Sequence, residues 1–231
     1  MNGAMAWFKH FITMTEQNQN TLADIRQDYL QDALLKKDLD SDPLSQFKVW
    51  LSEAIELGIK EPTAMNLATV GEDGRPSSRT VLLKGADEEG FRFFTCYGGR
   101  KALEIKGNPE VALHFFWANF PRQIAVRGKA SKLSRKESAD YFSSRPRQSQ
   151  LGAWASCQSS EVANRDELEQ DFLACERKFE GSEIPIPPDW GGYLVVPEFY
   201  EFWQGRPGRL HDRFVYEPDG FGGWTVTRLA P

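Results

Sequence analysis

The chain has 231 residues, of which 40% are hydrophobic and 26% charged, a balance that supports a real core and excludes wholesale disorder. Its 28 Lys and Arg against 33 Asp and Glu leave a net charge of −5, whereas a nucleic-acid-binding domain usually carries a basic excess. Cys96, Cys157 and Cys175 form no C-x-x-C pair, which speaks against a disulfide framework or structural metal and for a reducing, cytoplasmic setting; no apolar run approaches the roughly 18 residues of a membrane span.

Lys9 and His10 interrupt the apolar start before a signal-peptide core can form. Residues 1–20 read as a disordered extension, with 1–13 an upstream-start addition, and residues 21–231 as a single domain. Over residues 21–37, Leu22, Ile25, Tyr29 and Ala33 recur at helical spacing and predict a helix. A second helix is expected over 43–57, with Phe47, Leu51, Ala54 and Ile55 facing inward. The period then shortens to two. Residues 63–70 and 78–84, separated by Gly71-Glu72-Asp73-Gly74-Arg75-Pro76, predict a hairpin. Strands follow at 90–96, 110–117 and 123–133, with a short helix over 100–106. Ser134 and Glu137 form a capping box for a helix running to about Ser144, after which Pro146 is expected to end regular helix. Asn164 starts another helix through Phe179. Strands at 191–196, 199–204, 213–216 and 224–229 close the chain. Short, hairpin-linked strands without βαβ crossovers predict a mainly β, α+β fold: an antiparallel barrel or sandwich with flanking helices.

Four segments concentrate chemistry. Arg79 and Lys84 end an apolar strand and could hold an anion, although alternation places them on opposite faces; solvated strand ends are the simpler reading of that segment alone. Gly98-Gly99 leads into a helix whose first turn carries Arg100 and Lys101. Cations there oppose the helix dipole unless an anion sits at the N-terminus. Tyr141 and Arg145 are spaced i, i+4 and, with Ser149, could hold a phosphate, against a merely solvated helix end. Arg209, His211 and Arg213 share one side of an extended segment near Trp203, where like charge would depress the imidazole. His114 reads as a packed strand histidine and His10 lies in the extension. No H-E-x-x-H, G-x-S-x-G or P-loop motif is present, and no metal site is expected. The residues alone imply a pocket for flat, phosphate-bearing small molecules, without a reaction. Seven of the basic residues lie in these segments, so the remainder of the chain is more acidic than the net charge suggests.

The runs RTVLLK (79–84), GGRKA (98–102), RQIAVRGKA (122–130), YFSSRPRQSQLGAW (141–154), QSS (158–160), EFWQG (201–205), RLHDR (209–213) and the closing RLAP resemble the pyridoxine/pyridoxamine 5′-phosphate oxidase family, in order, from about Ile25 onward. The resemblance implies an FMN-binding split β-barrel of antiparallel Greek-key type, acting as a homodimer with flavin between the subunits. It implies oxidation of pyridoxamine or pyridoxine 5′-phosphate to pyridoxal 5′-phosphate by O2, with release of H2O2. Carried over by motif, Arg79, Thr80, Val81, Leu82, Leu83, Lys84, Phe94, Thr95, Arg100, Lys101, Gln123, Gln158, Ser159, Trp203 and Arg213 would contact FMN. Lys84, Tyr141, Arg145 and Ser149 would hold the substrate phosphate, and Arg209 and His211 would be catalytic, over the reactive carbon. Arg26 to Tyr29 resembles a segment that can fold over bound ligand. Two departures stand out: Phe94 where some members have Tyr, and Gly99 in place of a frequent Ser. The competing readings are a flavin or pyridoxal-phosphate binding protein without turnover and another split-barrel flavin reductase, with a nucleic-acid module further behind.

Overall fold

The computed structural model describes Leu22 and residues 28–231; the predicted extension and most of residues 21–27 lie outside the described residues. In chain order the elements are α1 (Pro43–Glu56), β1 (Ala64–Val70), β2 (Pro76–Leu82), β3 (Gly85–Asp87), β4 (Gly90–Cys96), α2 (Arg100–Gly107), β5 (Glu110–Trp117), β6 (Arg122–Lys132), α3 (Arg135–Ser144), α4 (Arg147–Ala155), α5 (Arg165–Lys178), β7 (Trp190–Gln204), β8 (Asp212–Pro218) and β9 (Trp224–Leu229). The strands form one antiparallel sheet in the order β2-β1-β5-β6-β7-β4-β3, with β8 and β9 added beyond β7. Past the end of β2, Leu83 donates its N–H to Thr63 and Lys84 donates to Arg92. The chain thereby crosses from β1's neighbourhood to β4 and curls the sheet into a half-barrel, leaving a split between β2 and β4.

Period-two burial explains the core. Leu113, Phe115, Ile124, Val126, Phe202 and Phe214 are fully buried from alternate positions of β5 to β8. Helix α1, started by Pro43 with the Asp42 carboxylate accepting the Ser45 N–H, places Phe47 edge-on to Phe91 and Trp50 edge-on to Phe202, with ring centroids 4.9 and 5.2 Å apart. Ile55, expected inward, is exposed, and Trp50 takes the inward place. A second, smaller core of Phe142, Leu151, Phe179, Ile184 and Trp190 lies under α3 to α5.

Three expectations need correction. Residues 28–35 contain no helix, because their backbone groups are taken by other elements. Gln204 donates to the Asp32 C=O at 2.7 Å, Arg228 to the Leu34 C=O at 2.8 Å, and the Leu34 N–H donates to Asp212 at 2.9 Å. Pro146 does not end helix; it is the N-cap of α4, since proline is excluded from a helix interior but suits its start. The two strands expected at 191–196 and 199–204 are one strand, β7, with Pro197 accommodated where the β6 register shifts between Arg127 and Gly128.

Candidate active site

The split between β2 and β4 contains a cavity of about 320 Å3, lined by Arg79, Thr80, Val81, Leu82, Lys84, Phe94, Thr95, Lys101, Tyr141, Arg145, Gln158 and Trp190. Four cations and no carboxylate face it. Arg79 and Lys84 meet there despite opposite-face alternation, because β2 ends at Leu82 and Lys84 lies in the turn toward β3. Leu83 is buried and sits beneath the lining rather than in it.

One wall is aromatic. The rings of Phe94 and Tyr141 stack at 3.9 Å, and Trp190 lies nearly parallel to both, at 5.6 and 6.2 Å. Gly192 permits this, since a Cβ there would meet the Phe94 ring at 2.7 Å. Burial raises the Tyr141 phenol above its ordinary value, opposed by the Arg145 charge, so the hydroxyl keeps its proton and can donate. Arg145 stands over the Trp190 ring, 4.7 Å from its centroid.

The opposite wall carries polar groups. Lys101 donates to Thr95 Oγ1 at 3.2 Å and to Gln158 Oε1 at 3.0 Å; burial, then the Arg79 charge, lower its ammonium pKa. Behind it, Glu104 of α2 is buried and accepts from Thr69 (2.5 Å), Ser77 (2.6 Å), Arg79 (3.1 Å) and Arg100 (2.9 Å). Burial alone would raise this carboxyl, but the hydrogen bonds override it and hold it at about 2. Arg79 also donates to the Leu67 C=O, Thr69 Oγ1 and Ser77 Oγ, so both of its terminal nitrogens are engaged. Arg100 is exposed and outside the lining; its N–H, the first of α2, donates to Ser159 Oγ at 3.1 Å. Ser159 adopts φ +71°, a left-handed backbone that costs a non-glycine residue energy and is often found at functional sites. A Cβ on Gly99 would come within 3.2 Å of Gln158, so Gly99 lets Gln158 pack closely against the start of α2. Ser149 is half-buried at the third position of α4 and does not line the cavity.

The remaining candidates assemble elsewhere. Gln123, Trp203 and Arg213 form a cross-strand row over β6, β7 and β8. The stretch of β7 between Gly192, opposite Phe94, and Trp203 is on the order of 35 Å long. His114 is half-buried and bonds Gln123 through Nε2 at 3.0 Å, a packed strand histidine that orients its neighbour. Arg213 is taken by Glu201 at 2.7 Å and the Ala230 C=O at 2.9 Å. Arg209 and His211 do not alternate with Arg213 along a strand. Arg209 ends a 3-10 turn at φ +61° and is exposed, and β8 begins only at Asp212. His211 packs against Trp203 at 4.6 Å and Tyr29 at 5.7 Å, and its Nδ1 accepts the Arg206 N–H at 3.1 Å. Burial, then the Arg209 charge, lower its imidazole pKa. Tyr29 itself packs on Trp203, over Gly205.

Sequence reasoning missed Trp190 and Glu104. The Trp-Gly-Gly run at the start of β7 was the available signal for Trp190, because adjacent glycines in a strand mark close packing on both faces. No group of acidic, histidine or cysteine residues among the described ones has metal-site geometry, and no described helix is long and apolar enough to cross a membrane.

Fold and cavity together define a split β-barrel with a cation-lined, aromatic-walled cavity. A family model described as pyridoxamine 5′-phosphate oxidase matches residues 51–178, and one described as the pyridoxine 5′-phosphate oxidase C-terminal dimerisation region matches residues 190–231. A pyridoxine/pyridoxamine 5′-phosphate oxidase of Rubrobacter xylanophilus is 53% identical over 218 residues, covering 94% of this chain and 100% of that protein. Its namesake in Rippkaea orientalis is 50% identical over 210 residues, covering 91% and 99%. Among solved structures, PhzG from Burkholderia lata, in complex with tetrahydrophenazine-1-carboxylic acid, superposes with a TM-score of 0.81 at 32% identity, covering 87% of this chain and 98% of that one. A pyridoxamine 5′-phosphate oxidase-related, FMN-binding protein of Nostoc punctiforme shares the fold, with a TM-score of 0.65 at 18% identity, covering 80% and 97%. The chain therefore belongs to the pyridoxine/pyridoxamine 5′-phosphate oxidase family and is an oxidoreductase.

Proposed function

We propose that the protein is an FMN-dependent oxidase. It converts pyridoxamine 5′-phosphate, O2 and water to pyridoxal 5′-phosphate, ammonia and H2O2, and pyridoxine 5′-phosphate and O2 to pyridoxal 5′-phosphate and H2O2. The observation that carries this reading is the cavity, which joins four cations to a stacked aromatic wall and holds a buried Arg145 nitrogen without a partner. A flat ligand bearing a phosphate satisfies both features.

The residues present fit FMN. Lys101, Thr95 and Gln158, with the Ser159-capped start of α2, make a donor-rich cradle for its phosphate, and the chain from Arg79 to Lys84 offers an edge along the cavity. When bound, FMN supplies a two-electron acceptor that passes electrons on to O2. Lys84, Tyr141 and Arg145 hold the substrate phosphate, and Ser149, carried over by motif, joins them only if α4 brings it nearer on binding. Gln123, Trp203, Arg213, Arg209 and His211 stand too far along β7 to join the same chain's cavity. They serve the cavity of a second copy, so the active unit is a homodimer with each site shared, in keeping with the match to a dimerisation region. His211 has Nδ1 occupied as an acceptor, so the neutral ring presents Nε2–H. It orients the reacting amine or hydroxyl as a donor, beside the exposed Arg209 cation.

The test is direct. Purified protein is expected to carry flavin absorbance and, given pyridoxamine 5′-phosphate in air, to form an aldehyde and peroxide. Flavin-loaded protein that forms neither overturns the reading. Flavin-loaded protein that binds pyridoxal phosphate without turnover would be a carrier, and turnover only with an external reductant would make it a reductase.

A further inference from the structure

We propose that Trp190 sets this cavity's preference for a phosphorylated over an unphosphorylated substrate, by holding the Arg145 guanidinium on its ring face where a carboxylate would otherwise stand. The inference rests on the reading that Arg145 receives the substrate phosphate and extends it to what positions Arg145.

The arginines around the site differ in how they are held. Arg79 is held by Glu104, two hydroxyls and a carbonyl. Arg100 pairs with Glu104, and Arg213 with Glu201. Arg145 has no acidic partner among the described residues, and its Nη1 is buried and without a hydrogen bond. Its guanidinium lies against two rings instead, 4.7 Å from Trp190 and 5.7 Å from Phe142. Burying a charge without compensation is costly, and an arginine cannot escape by losing its proton. The ring face is the compensation available.

The choice of partner has a consequence for recognition. A carboxylate would occupy two of the guanidinium donors and cancel the charge. An aromatic face occupies none of them and leaves the charge whole, so an incoming phosphate meets a full cation with its fork of donors free. A ligand ending in a hydroxyl gains little from either.

Trp190 is built to stay in place. Arg135 donates to the Trp190 C=O at 3.0 Å and to the Ile186 C=O at 2.9 Å, tethering the proline-rich approach to β7. Phe142 packs edge-on to the indole at 5.1 Å, and Phe94 lies parallel to it. The indole is 5% exposed, so its plane is fixed by packing on several sides.

Holoenzyme carrying Trp190→Leu or Trp190→Phe is compared with wild type on pyridoxamine 5′-phosphate and on pyridoxamine. The ratio of their kcat/KM values is expected to fall about tenfold in the leucine variant and less in the phenylalanine variant, which restores a ring face. The loss should appear mainly in KM for the phosphorylated substrate. Phosphorus NMR titration of each holoenzyme with inorganic phosphate reads the same contact without turnover, and binding should weaken in the same order. Since Trp190 also belongs to a core, the phenylalanine variant carries the test if the leucine variant does not fold. A ratio and a phosphate affinity that both stay at wild-type values overturn the inference, as does an equal loss on both substrates. Wild-type holoenzyme that binds phosphate, with the expected weakening in the variants, yet oxidises neither amine would sink the oxidase reading and leave the Trp190–Arg145 contact standing.

Discussion

At the Trp190 end of β7, Phe94, Tyr141 and Trp190 stack against one another, and Arg79 of the same cavity is fixed by Glu104 from within the fold. At the Trp203 end, Trp203 and His211 lie beside Tyr29, and the backbone of the segment that follows it is tied down by Gln204, Asp212 and Arg228. The first end is a preformed receptacle, complete in one chain. The second is a patch of side chains around Trp203 and His211, away from that cavity. In the shared-site homodimer proposed above, the cavity of one subunit and the Trp203 patch of the other complete each other across a two-fold axis, where one surface of each subunit meets the same surface of the other.

The largest expected effect tests that division. Arg145→Ala disables the receptacle and Arg209→Ala the patch, and each homodimer is expected to lose about a hundredfold or more in kcat/KM. Arg209→Ala should keep its flavin; loss of flavin would show that Arg209 belongs to the cofactor's cradle. Mixed by unfolding and refolding together, half the dimers contain both variants, and one of the two sites in each is intact. Activity should therefore return to about a quarter of wild type. Mixtures no better than either parent would mean that each site is built within one chain.

Next in size is the support behind the receptacle. Glu104 holds Arg79 and Arg100 together, and removing it leaves a half-buried arginine without its counter-charge. Glu104→Ala is expected to cost about 3–5 kcal/mol in urea unfolding, far more than an alanine at exposed Glu198, whose pair with Lys129 is open to solvent. The pH dependence follows from the sign of the shift. The carboxyl is held at about 2 against an ordinary 4.5, so its stabilisation is present above about 4.5 and fades as pH falls toward 2. The stability gap between wild type and Glu104→Gln should close over that window. A gap that stays constant down to pH 2 would separate Glu104 from the network.

How far these features were legible in the sequence depends on the range over which each is determined. Capping at Ser134 and Asn164 is settled within four residues, and both helices start there. The turn after Val70 is likewise local, with Gly74 at φ +75°. Most of the cavity lining was named from contiguous motifs. Residues 28–35 read as a helix by spacing, but the backbone groups of Gln31, Asp32 and Leu34 bond residues more than 170 positions away, which no local pattern reveals. Nothing local singles out Glu104 on its short helix; besides Arg100, its partners Thr69, Ser77 and Arg79 come from the β1–β2 hairpin. Trp190 follows a proline-rich run without periodicity, so its burial depends on α3 and on glycines that are only meaningful once the sheet is built.

A smaller effect probes the cover over the patch. A Cβ on Gly205 would fall 2.6 Å from Tyr29, so Gly205→Ala must push Tyr29 away from Trp203. Overpacking of this kind costs about 1–3 kcal/mol, and here part is relieved by detaching the segment. Backbone hydrogen exchange across residues 29–35 is expected to speed up, while exchange around Trp190 is unchanged. Equal acceleration at both ends would mean that the two regions do not open separately.

The smallest effect concerns His211. Its imidazole is lowered first by burial, next by the positive charge of Arg209, with Asp212 acting in the opposite sense. Arg209 is exposed, so its influence is screened by solvent and salt, whereas burial under Tyr29 and Trp203 is not. Arg209→Gln should therefore raise the His211 titration midpoint by only part of the depression, and added salt should raise it in wild type but hardly in the variant. Gly205→Ala, by lifting Tyr29, should raise it in both. Proton NMR of the imidazole reads all three. If Arg209→Gln alone restored the ordinary histidine value, like charge rather than burial would govern the patch, and the cover over it would have no electrostatic consequence.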